Sequence, residues 1–392
     1  MRSGPLSGIK VLDLTTFVSG PFACSLLADL GADVIKVESP EGDTQRHYPS
    51  TLAGESRVFL GINRGKRAII INLKDAQGKA ILQRLLAKTD VLVENFRPSV
   101  PARLGISYET LKEEWPRLIY CAIRGYGDTG PMRDRPGYDQ VVQTLSGMAA
   151  FQGAATGDTA QLIRGALIDF YTASMAAMGV IAALFERAST GKGQYVMTSL
   201  LAAALTMQAG RLVWAENEPR DVNRELLPGR IAGIHPTKEG GLYLSAHTER
   251  FWQNLCNCVG LPQLADNPRY NSSRKRSDFA DELLPKLHAA LQRHTAAEWV
   301  ALMGEDVPCA AVGRIEDLFD QPQVTSERLL ENFHHSQLGA YRSLSRPIHF
   351  SASAVPNPIA APALGEHTDE ILAECGLSAA EIVKLRAGGA VA

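Results

Sequence analysis

The chain has 392 residues, of which 45% are hydrophobic and 21% charged, a composition typical of globular proteins rather than of disordered or fibrous chains. Forty basic residues stand against 42 acidic ones, so a net charge of −2 gives no general attraction for nucleic acid or an anionic membrane. The apolar run around residues 196–205 is interrupted by polar residues well short of the roughly 20 needed to cross a bilayer, so no transmembrane helix is expected.

The first third of the sequence alternates strand and helix patterns. Strands are predicted at 9–14, 33–37, 68–73, 90–94 and 118–123, with helices over 22–30 and 76–88 between them. Repeated βαβ units predict an α/β fold with a Rossmann-like, doubly wound parallel sheet. Ligands bind such sheets beyond the carboxyl ends of the strands. A site is therefore expected near residues 15–21, 39, 74, 95–97 and 125–138, with the polar insertion 39–57 as a functional loop.

The later sequence predicts a long helix over 169–188 and then a change of character. Charged residues become frequent after residue 217, and a strand at 242–246 precedes helices at 251–259, 279–293 and 296–303, the last capped by Thr295. The predicted domains are therefore 1–219 (large α/β domain), 220–325 (small α+β domain) and 326–392 (linker and C-terminal return to the large domain). The pair His334-His335 is expected in a solvated loop.

Cysteines and the N-terminus indicate the compartment. Of six cysteines only Cys256 and Cys258 are close, and no second pair completes a zinc site, so neither a metal nor a disulfide is predicted. Residues 1–10 lack the apolar core of a secretory signal. A cytoplasmic location is expected, or a mitochondrial or peroxisomal one if the source is eukaryotic.

The usual nucleotide-binding motifs are absent from the sequence, and Asp169 is the acidic residue that we consider as a candidate functional group. The loop after the first strand is not G-x-G-x-x-G, and the sequence contains no P-loop, H-E-x-x-H or G-x-S-x-G. Asp169 stands at the start of a very apolar helix. The sequence alone favours a helix N-cap, and the position also suits a nucleophile stabilised by the helix N-terminus. Spacing alone leaves both readings open.

Several separated segments resemble the class III (CaiB/BaiF) CoA-transferases. The resemblance rests on Gly8-Ile9-Lys10-Val11-Leu12-Asp13-Leu14, Gly31-Ala32-Asp33-Val34-Ile35-Lys36-Val37-Glu38, Asn63-Arg64-Gly65-Lys66-Arg67, Val93-Glu94-Asn95-Phe96-Arg97-Pro98, Pro136-Gly137-Tyr138-Asp139 and Gly365-Glu366-His367-Thr368. This family includes formyl-CoA, carnitine and bile-acid CoA-transferases and, as a branch, α-methylacyl-CoA racemase. The similarity runs in order along nearly the whole chain and is weakest between residues 210 and 330.

The resemblance implies an acyl-CoA:carboxylate CoA-transferase in which Asp169 forms anhydride and thioester intermediates. A CoA thioester is then a substrate, with no permanently bound cofactor, and the chain forms an interlocked homodimer. The residues implied to contact CoA are Val18, Ser19, Ile71, Lys74, Asn95, Phe96, Arg103 and Tyr138. Neither a membrane nor nucleic acid is an expected partner.

Departures from the family pattern bear on the substrate. Val18 replaces a glutamine and Ser39 an arginine of formyl-CoA transferase, and its glycine-rich active-site loop has no counterpart before Leu242. Oxalate and formate are therefore poor substrate candidates, and succinyl-CoA with a dicarboxylic acceptor is expected. Candidate anchors for the second carboxylate are Arg46, His47, Arg164 and Arg230.

Two other functions remain open. Racemases resembling this chain carry histidine at the position of Tyr138, and a tyrosine is too weak a base for α-proton removal near neutral pH. Tyr138 therefore disfavours the racemase, which remains the alternative function. A non-catalytic CoA-binding homologue is disfavoured by the presence of Asp169.

Overall fold

The chain folds into two compact units. The computed structural model describes residues 3–52, 54–156, 159–219, 231–354, 357 and 359–392. One unit comprises residues 1–212 and 326–392, and the other comprises residues 213–325. The first boundary lies a few residues before the predicted one at 219, because the chain leaves the larger unit soon after its last short helical turn at Ala209–Arg211.

A six-stranded parallel sheet forms the centre of the larger unit. Its strands are β1 (Lys10–Asp13), β2 (Asp33–Glu38), β3 (Lys66–Ile70), β4 (Val91–Glu94), β5 (Ile119–Arg124) and β6 (Tyr195–Ser199). They lie in the order β3-β2-β1-β4-β5-β6, so the sheet is wound in both directions from β1. The predicted doubly wound α/β fold is confirmed. The switch between β1 and β4 opens the crevice in which such sheets bind ligands.

Helices cover both faces of this sheet. In chain order they are α1 (Ser19–Asp29), α2 (Arg57–Ile62), α3 (Ala76–Leu86), α4 (Val100–Leu104), α5 (Tyr108–Glu114), α6 (Asp139–Leu145), α7 (Met148–Thr156), α8 (Leu167–Thr190) and α9 (Leu200–Thr206). One core cluster joins α1 and α8 to one face of the sheet, and a second joins α3 and the C-terminal helices to the other. Gly20 is required in α1, since a Cβ there would lie 2.4 Å from the Cβ of Thr15.

Helix α8 is longer and more apolar than the run around residues 196–205 considered above. Among the described residues it is the one helix long and apolar enough to cross a membrane by length and composition. Segment length therefore does not support the expectation that the chain has no transmembrane helix. Small residues such as Ala173 and Ala176 bury one face of α8 against α1 and the sheet, as in the core helix of a globular domain.

The second unit is a small α+β domain with its own core. A three-stranded antiparallel sheet is formed by β7 (Gly233–Pro236), β8 (Gly241–Leu244) and β9 (Cys309–Ala311). Helices α10 (Glu249–Cys258), α11 (Pro262–Ala265), α12 (Ser273–Asp278), α13 (Ala280–Leu291) and α14 (Ala296–Met303) accompany it. Thr295 caps α14 in a complete capping box with Glu298.

The C-terminal segment returns to the large unit after α15 (Pro322–Ser326) and contains more than a linker. Strands β10 (Leu330–His335) and β11 (Gly339–Leu344) form a hairpin, and helices α16 (Thr368–Glu374) and α17 (Ala379–Ala387) follow. The prediction of a solvated loop for His334-His335 is wrong. His335 is fully buried, and its Nδ1 accepts the backbone N–H groups of Gln337 and Leu338, which closes the hairpin turn.

A buried charge network lies beneath the carboxyl end of β1. The Nζ of Lys66 donates to Asp13 at 2.8 Å and to the carbonyl of Pro21 at 2.7 Å, while Asp13 accepts the N–H and hydroxyl of Thr15. Lys36 donates to the Thr15 carbonyl at 2.9 Å and to Asp43 at 2.8 Å. Burial would raise the pKa of Asp13, but the neighbouring ammonium groups lower it to about 2. These bonds shape the turn that leads from β1 into α1.

Replacing Lys66 with alanine should therefore destabilise the protein strongly. The substitution leaves Asp13 as a buried carboxylate without its nearest cation, a change that costs about 3–5 kcal/mol. Urea unfolding followed by circular dichroism measures the free energy of unfolding. Lys112→Ala, which breaks an exposed ion pair with Glu109, is the matched control and should change it little. Equal small effects for the two variants would contradict the role given to this network.

Candidate active site

The main cleft lies at the carboxyl ends of β1, β4 and β5. Its volume is about 1320 Å³, which is large enough for a cofactor-sized ligand. The loop after β1 contributes Phe17 to Ser19, the loop after β4 contributes Asn95 to Pro98, and the first turn of α8 contributes Asp169. A smaller cavity of about 290 Å³ adjoins it and shares Phe96. The crevice predicted from the strand pattern is therefore occupied by two cavities that share a lining residue.

Asp169 is not the N-cap of α8. The helix begins at Leu167, and the cap residue Ala166 has no side chain that can accept a hydrogen bond. The cap comes instead from Asp139 of α6, whose Oδ2 accepts the N–H groups of Ile168 at 2.6 Å and Asp169 at 3.1 Å. Because another residue caps the helix, the Asp169 carboxylate is available to line the cleft.

The surroundings of Asp169 favour its neutral form. Burial raises the pKa of Asp169 to about 7, the negative charge of Asp139 adds to this rise, and a hydrogen bond from Ser19 opposes it. Apolar groups, including Phe22, Phe170 and Leu200, line the same cleft. A carboxylate in this position is poorly solvated and therefore more basic and more nucleophilic than one in water.

The loop that carries Val18 and Ser19 is held in an uncommon conformation. Phe17 has a φ of +65°, which non-glycine residues rarely adopt and which occurs preferentially at functional sites. The side chain of Asn95 accepts the N–H of Thr16 at 3.0 Å and donates to its carbonyl at 2.7 Å. Phe17 also packs edge-on against Tyr138, with ring centroids 5.6 Å apart. Asn95 thus fixes the loop as well as lining the cleft.

The structure brings together most residues that the family resemblance implied. Those that line the main cleft are Val18, Ser19, Asn95, Phe96, Tyr138 and Asp169. Ile71 and Lys74 line the smaller cavity together with Ser39. Arg103 is exposed on α4 and lies outside the lining of both cavities.

None of the described candidates for anchoring a second carboxylate lines the main cleft. Arg46 is buried and fully engaged, because it pairs with Glu38 at 2.8 Å and with Glu55 at 2.9 Å and stacks on a phenylalanine. It holds the 39–57 segment in place and is not free to bind a substrate. His47 and Arg164 are outside the cleft lining, and Arg230 lies outside the described residues.

Five arginines that were not among the candidate anchors do line the cleft: Arg57, Arg97, Arg124, Arg133 and Arg135. Arg124 is locked by Glu94 at 2.7 Å and Asp128 at 2.8 Å, and Arg133 pairs with Asp134. Arg135 has no side-chain ion pair within the described parts of the chain. In the sequence, Arg135 could have been recognised by its position immediately before Pro136-Gly137-Tyr138, a motif that already carries the family resemblance.

Across the same described residues, no group of three or more His, Cys, Asp or Glu side chains could hold a metal ion.

Comparison with known proteins identifies the family. The chain is 34% identical over 379 residues to succinyl-CoA:glutarate CoA-transferase of Mus musculus, which covers 94% of this chain and 86% of that protein. It is 30% identical over 420 residues to formyl-CoA:oxalate CoA-transferase of Escherichia coli O6:H1, with 99% and 100% covered. The crystal structure of a CaiB/BaiF family protein from Brucella suis is 30% identical, covers 95% of this chain and all of that one, and superposes with a TM-score of 0.83. Since residues 6–368 also match the model of CoA-transferase family III, the chain belongs to that family and is a CoA-transferase.

Proposed function

We propose that this enzyme moves CoA from succinyl-CoA to a short dicarboxylic acid, with Asp169 as the nucleophile. The observation that carries the proposal is the Asp169 carboxylate, partly buried at the head of α8 in an apolar cleft that also contains arginines. The names of two similar enzymes, succinyl-CoA:glutarate and formyl-CoA:oxalate CoA-transferase, both include a dicarboxylic acid, and the first also includes the proposed donor.

The proposed reaction passes CoA through two covalent states of Asp169. The carboxylate attacks the donor thioester carbonyl, and CoA leaves as a thiolate, which gives a mixed anhydride. The thiolate then attacks the Asp169 carbonyl, forms an aspartyl-CoA thioester and releases the donor acid. The acceptor carboxylate attacks this thioester, which restores an anhydride and frees the thiolate. Attack of the thiolate on the acceptor carbonyl finally releases the new acyl-CoA and regenerates Asp169.

The site supplies what these steps need. Poor solvation of Asp169 raises its nucleophilicity, and the Ser19 hydroxyl orients the carboxylate. Both intermediates react with water, so the apolar lining protects them by excluding it. Lys74 in the smaller cavity and Arg97 at the cleft offer cations for the CoA phosphates.

Racemisation and simple CoA binding fit the site less well. An α-methylacyl-CoA racemase needs two bases on opposite faces of the α-carbon, and the described cleft lining carries Tyr138 but no histidine. A non-catalytic CoA-binding protein would have no use for a partly buried, weakly solvated carboxylate. CoA transfer accounts for both observations.

We infer that Arg135 binds the second carboxylate of the acceptor. It is an exposed arginine on the loop that leads into Tyr138 and Asp139, on the lining of the cleft that contains Asp169. A guanidinium pairs with a carboxylate through two parallel hydrogen bonds, which selects for geometry as well as charge.

We also propose a homodimer with interlocked chains in the cytoplasm. Large apolar side chains remain exposed along α8, including Met178 at 65% and Phe185 at 83%. Patches of this kind usually mark interaction surfaces. A second copy of the chain is the partner we expect for this face.

Asp169→Asn should lower kcat by roughly a thousandfold or more, because the amide cannot form the anhydride.

In the unmodified enzyme, kcat/KM should fall as the pH decreases below about 7, since the protonated carboxyl group of Asp169 does not attack the thioester. Incubation with acyl-CoA followed by hydroxylamine should leave a modified Asp169 in a peptide map. An unmodified Asp169 in an enzyme that turns over fully would contradict the mechanism.

A C4 to C6 dicarboxylic acceptor should react roughly ten- to a hundredfold more efficiently than the monocarboxylic acid of equal length. Loss of one charge-assisted contact costs about 1.5–3 kcal/mol. Arg135→Gln should abolish this preference, whereas Arg164→Gln, which removes an exposed arginine outside the cleft lining, should retain it. Steady-state kcat/KM values with succinyl-CoA as donor give the comparison. Equal values for the two acid classes with the wild-type enzyme would show that no second-carboxylate anchor exists.

Light scattering at micromolar concentration should give twice the chain mass of 42.4 kDa. Combining Phe185→Glu with Met178→Glu places charges on the exposed face of α8 and should weaken the dimer. Val383→Glu makes the same kind of change on α17, where the side chain is also exposed, and should leave the mass unchanged. A monomeric wild-type protein would overturn the proposed assembly.

A further inference from the structure

The first turn of the nucleophile helix is held by a residue from another helix. Asp139 is the first residue of α6 and only 2% exposed, and its Oδ2 accepts two backbone N–H groups from the start of α8. One of these N–H groups belongs to Asp169 itself. A displacement of Asp139 would therefore move the backbone of the proposed nucleophile directly.

The same carboxylate also organises the chain that leads into α8. Its Oδ1 accepts the side-chain N–H of Gln143 at 2.6 Å, and Gln143 in turn bonds the N–H of Ile163 at 2.9 Å and its carbonyl at 3.0 Å. Every hydrogen bond that Asp139 makes to the described residues comes from an N–H donor, which is the pattern of an ionised carboxylate. None of the ion pairs among those residues neutralises it. Asp139 thus places a buried negative charge beside Asp169.

We propose that Asp139 is a positioning residue that fixes the first turn of α8 and whose negative charge promotes acylation of Asp169. The inference rests on the proposed function, in which Asp169 is the nucleophile. In the free enzyme the two carboxylates repel each other. When Asp169 attacks a thioester, its charge leaves with the CoA thiolate and the repulsion disappears. The charge on Asp139 therefore raises the free energy of the reactant relative to the acyl-enzyme.

The groups around Asp169 allow this effect to be measured by pH. Helix α1 presents the uncharged Ser19, α6 presents Asp139, and the described cleft lining holds no other carboxyl group and no histidine. The other charged or titratable lining groups are Arg57, Arg97, Arg124, Arg133, Arg135, Tyr48, Tyr138 and Tyr171. Arginine stays protonated throughout the assay range, and tyrosine titrates near pH 10. The phosphate monoester of acyl-CoA titrates within the assay range, but it does so identically for every variant. The part of an acidic limb between pH 5 and 8 that moves when Asp139 is changed can therefore be assigned to Asp169.

The test compares Asp139→Asn, Asp139→Glu and Asp139→Ala with the wild type. The asparagine variant retains an acceptor oxygen for the two N–H groups of α8 but loses the charge. In the pH profile of its kcat/KM for acyl-CoA, the acidic limb should move to lower pH by about one unit. Its kcat should fall by up to about tenfold. The glutamate variant retains the charge with altered geometry, so its limb should stay in place while kcat falls. The alanine variant loses both functions and should lose about a hundredfold in kcat.

Glu381→Gln is the matched control, since it converts an exposed helix-capping acid of α17 into an amide. It should change neither the limb nor kcat. A limb that does not move in an active Asp139→Asn enzyme would show that Asp139 only supports the fold. If Asp139→Asn does not fold, a limb in Asp139→Glu that moves as far as in Asp139→Ala would overturn the role of the charge. A folded wild-type enzyme that transfers no CoA from any acyl-CoA donor would instead overturn the proposed function itself.

Discussion

The buried ion pair of Asp13 and Lys66 is the constraint on which the rest of the site depends. It joins the end of β1 to β3, and the same ammonium group holds the Pro21 carbonyl in the first turn of α1. These bonds restrain the chain between the two points, which includes Ser19, the residue that hydrogen-bonds to Asp169. Asn95 adds a clamp from β4, which holds the backbone beside the strained Phe17. Since a buried charge without its partner costs several kcal/mol, the geometry of this turn is tied to the stability of the fold.

The reactivity of the site follows from how its charges are distributed. The larger unit buries cations with acidic partners, as in Arg46 with Glu38 and Glu55, and these pairs give rigidity without reactivity. Asp169 has no such cationic partner: the charge that acts on its carboxyl group is that of another acid, Asp139, and its hydrogen bond comes from the neutral hydroxyl of Ser19. Such a carboxylate gains by giving its charge to a leaving group. Exposed arginines at the rim of the same cleft can hold anionic substrates without neutralising it.

Much of the fold could be predicted from the sequence, because buried parallel strands leave continuous apolar runs separated by helices with clear ends. The segment from β1 to β5 follows this rule, and the position of the cleft follows from the strand order. The predictions that were wrong all concern residues whose role depends on contacts formed only in the folded chain. The cap of α8 lies about thirty residues before it, at Asp139, so Asp169 looked like a cap. Arg46 looked free because its acidic partners, Glu38 and Glu55, are recognised only once the 39–57 segment is folded. His335 looked solvated because its burial depends on the hairpin turn that it closes.

Transfer of oxygen through Asp169 distinguishes a covalent aspartyl intermediate from direct passage of CoA between the two acids. In the proposed reaction, the acceptor acid attacks the aspartyl thioester with one of its own oxygen atoms. This oxygen stays on Asp169 when the new acyl-CoA departs. Enzyme, succinyl-CoA and an acceptor labelled with 18O in both carboxylate groups are mixed for a single turnover, and the tryptic peptide of residues 165–187 is analysed by mass spectrometry. The account predicts one 18O atom in this peptide, located at Asp169. Complete turnover with no label at Asp169 would contradict it, because CoA would then have passed between the two acids without an aspartyl intermediate.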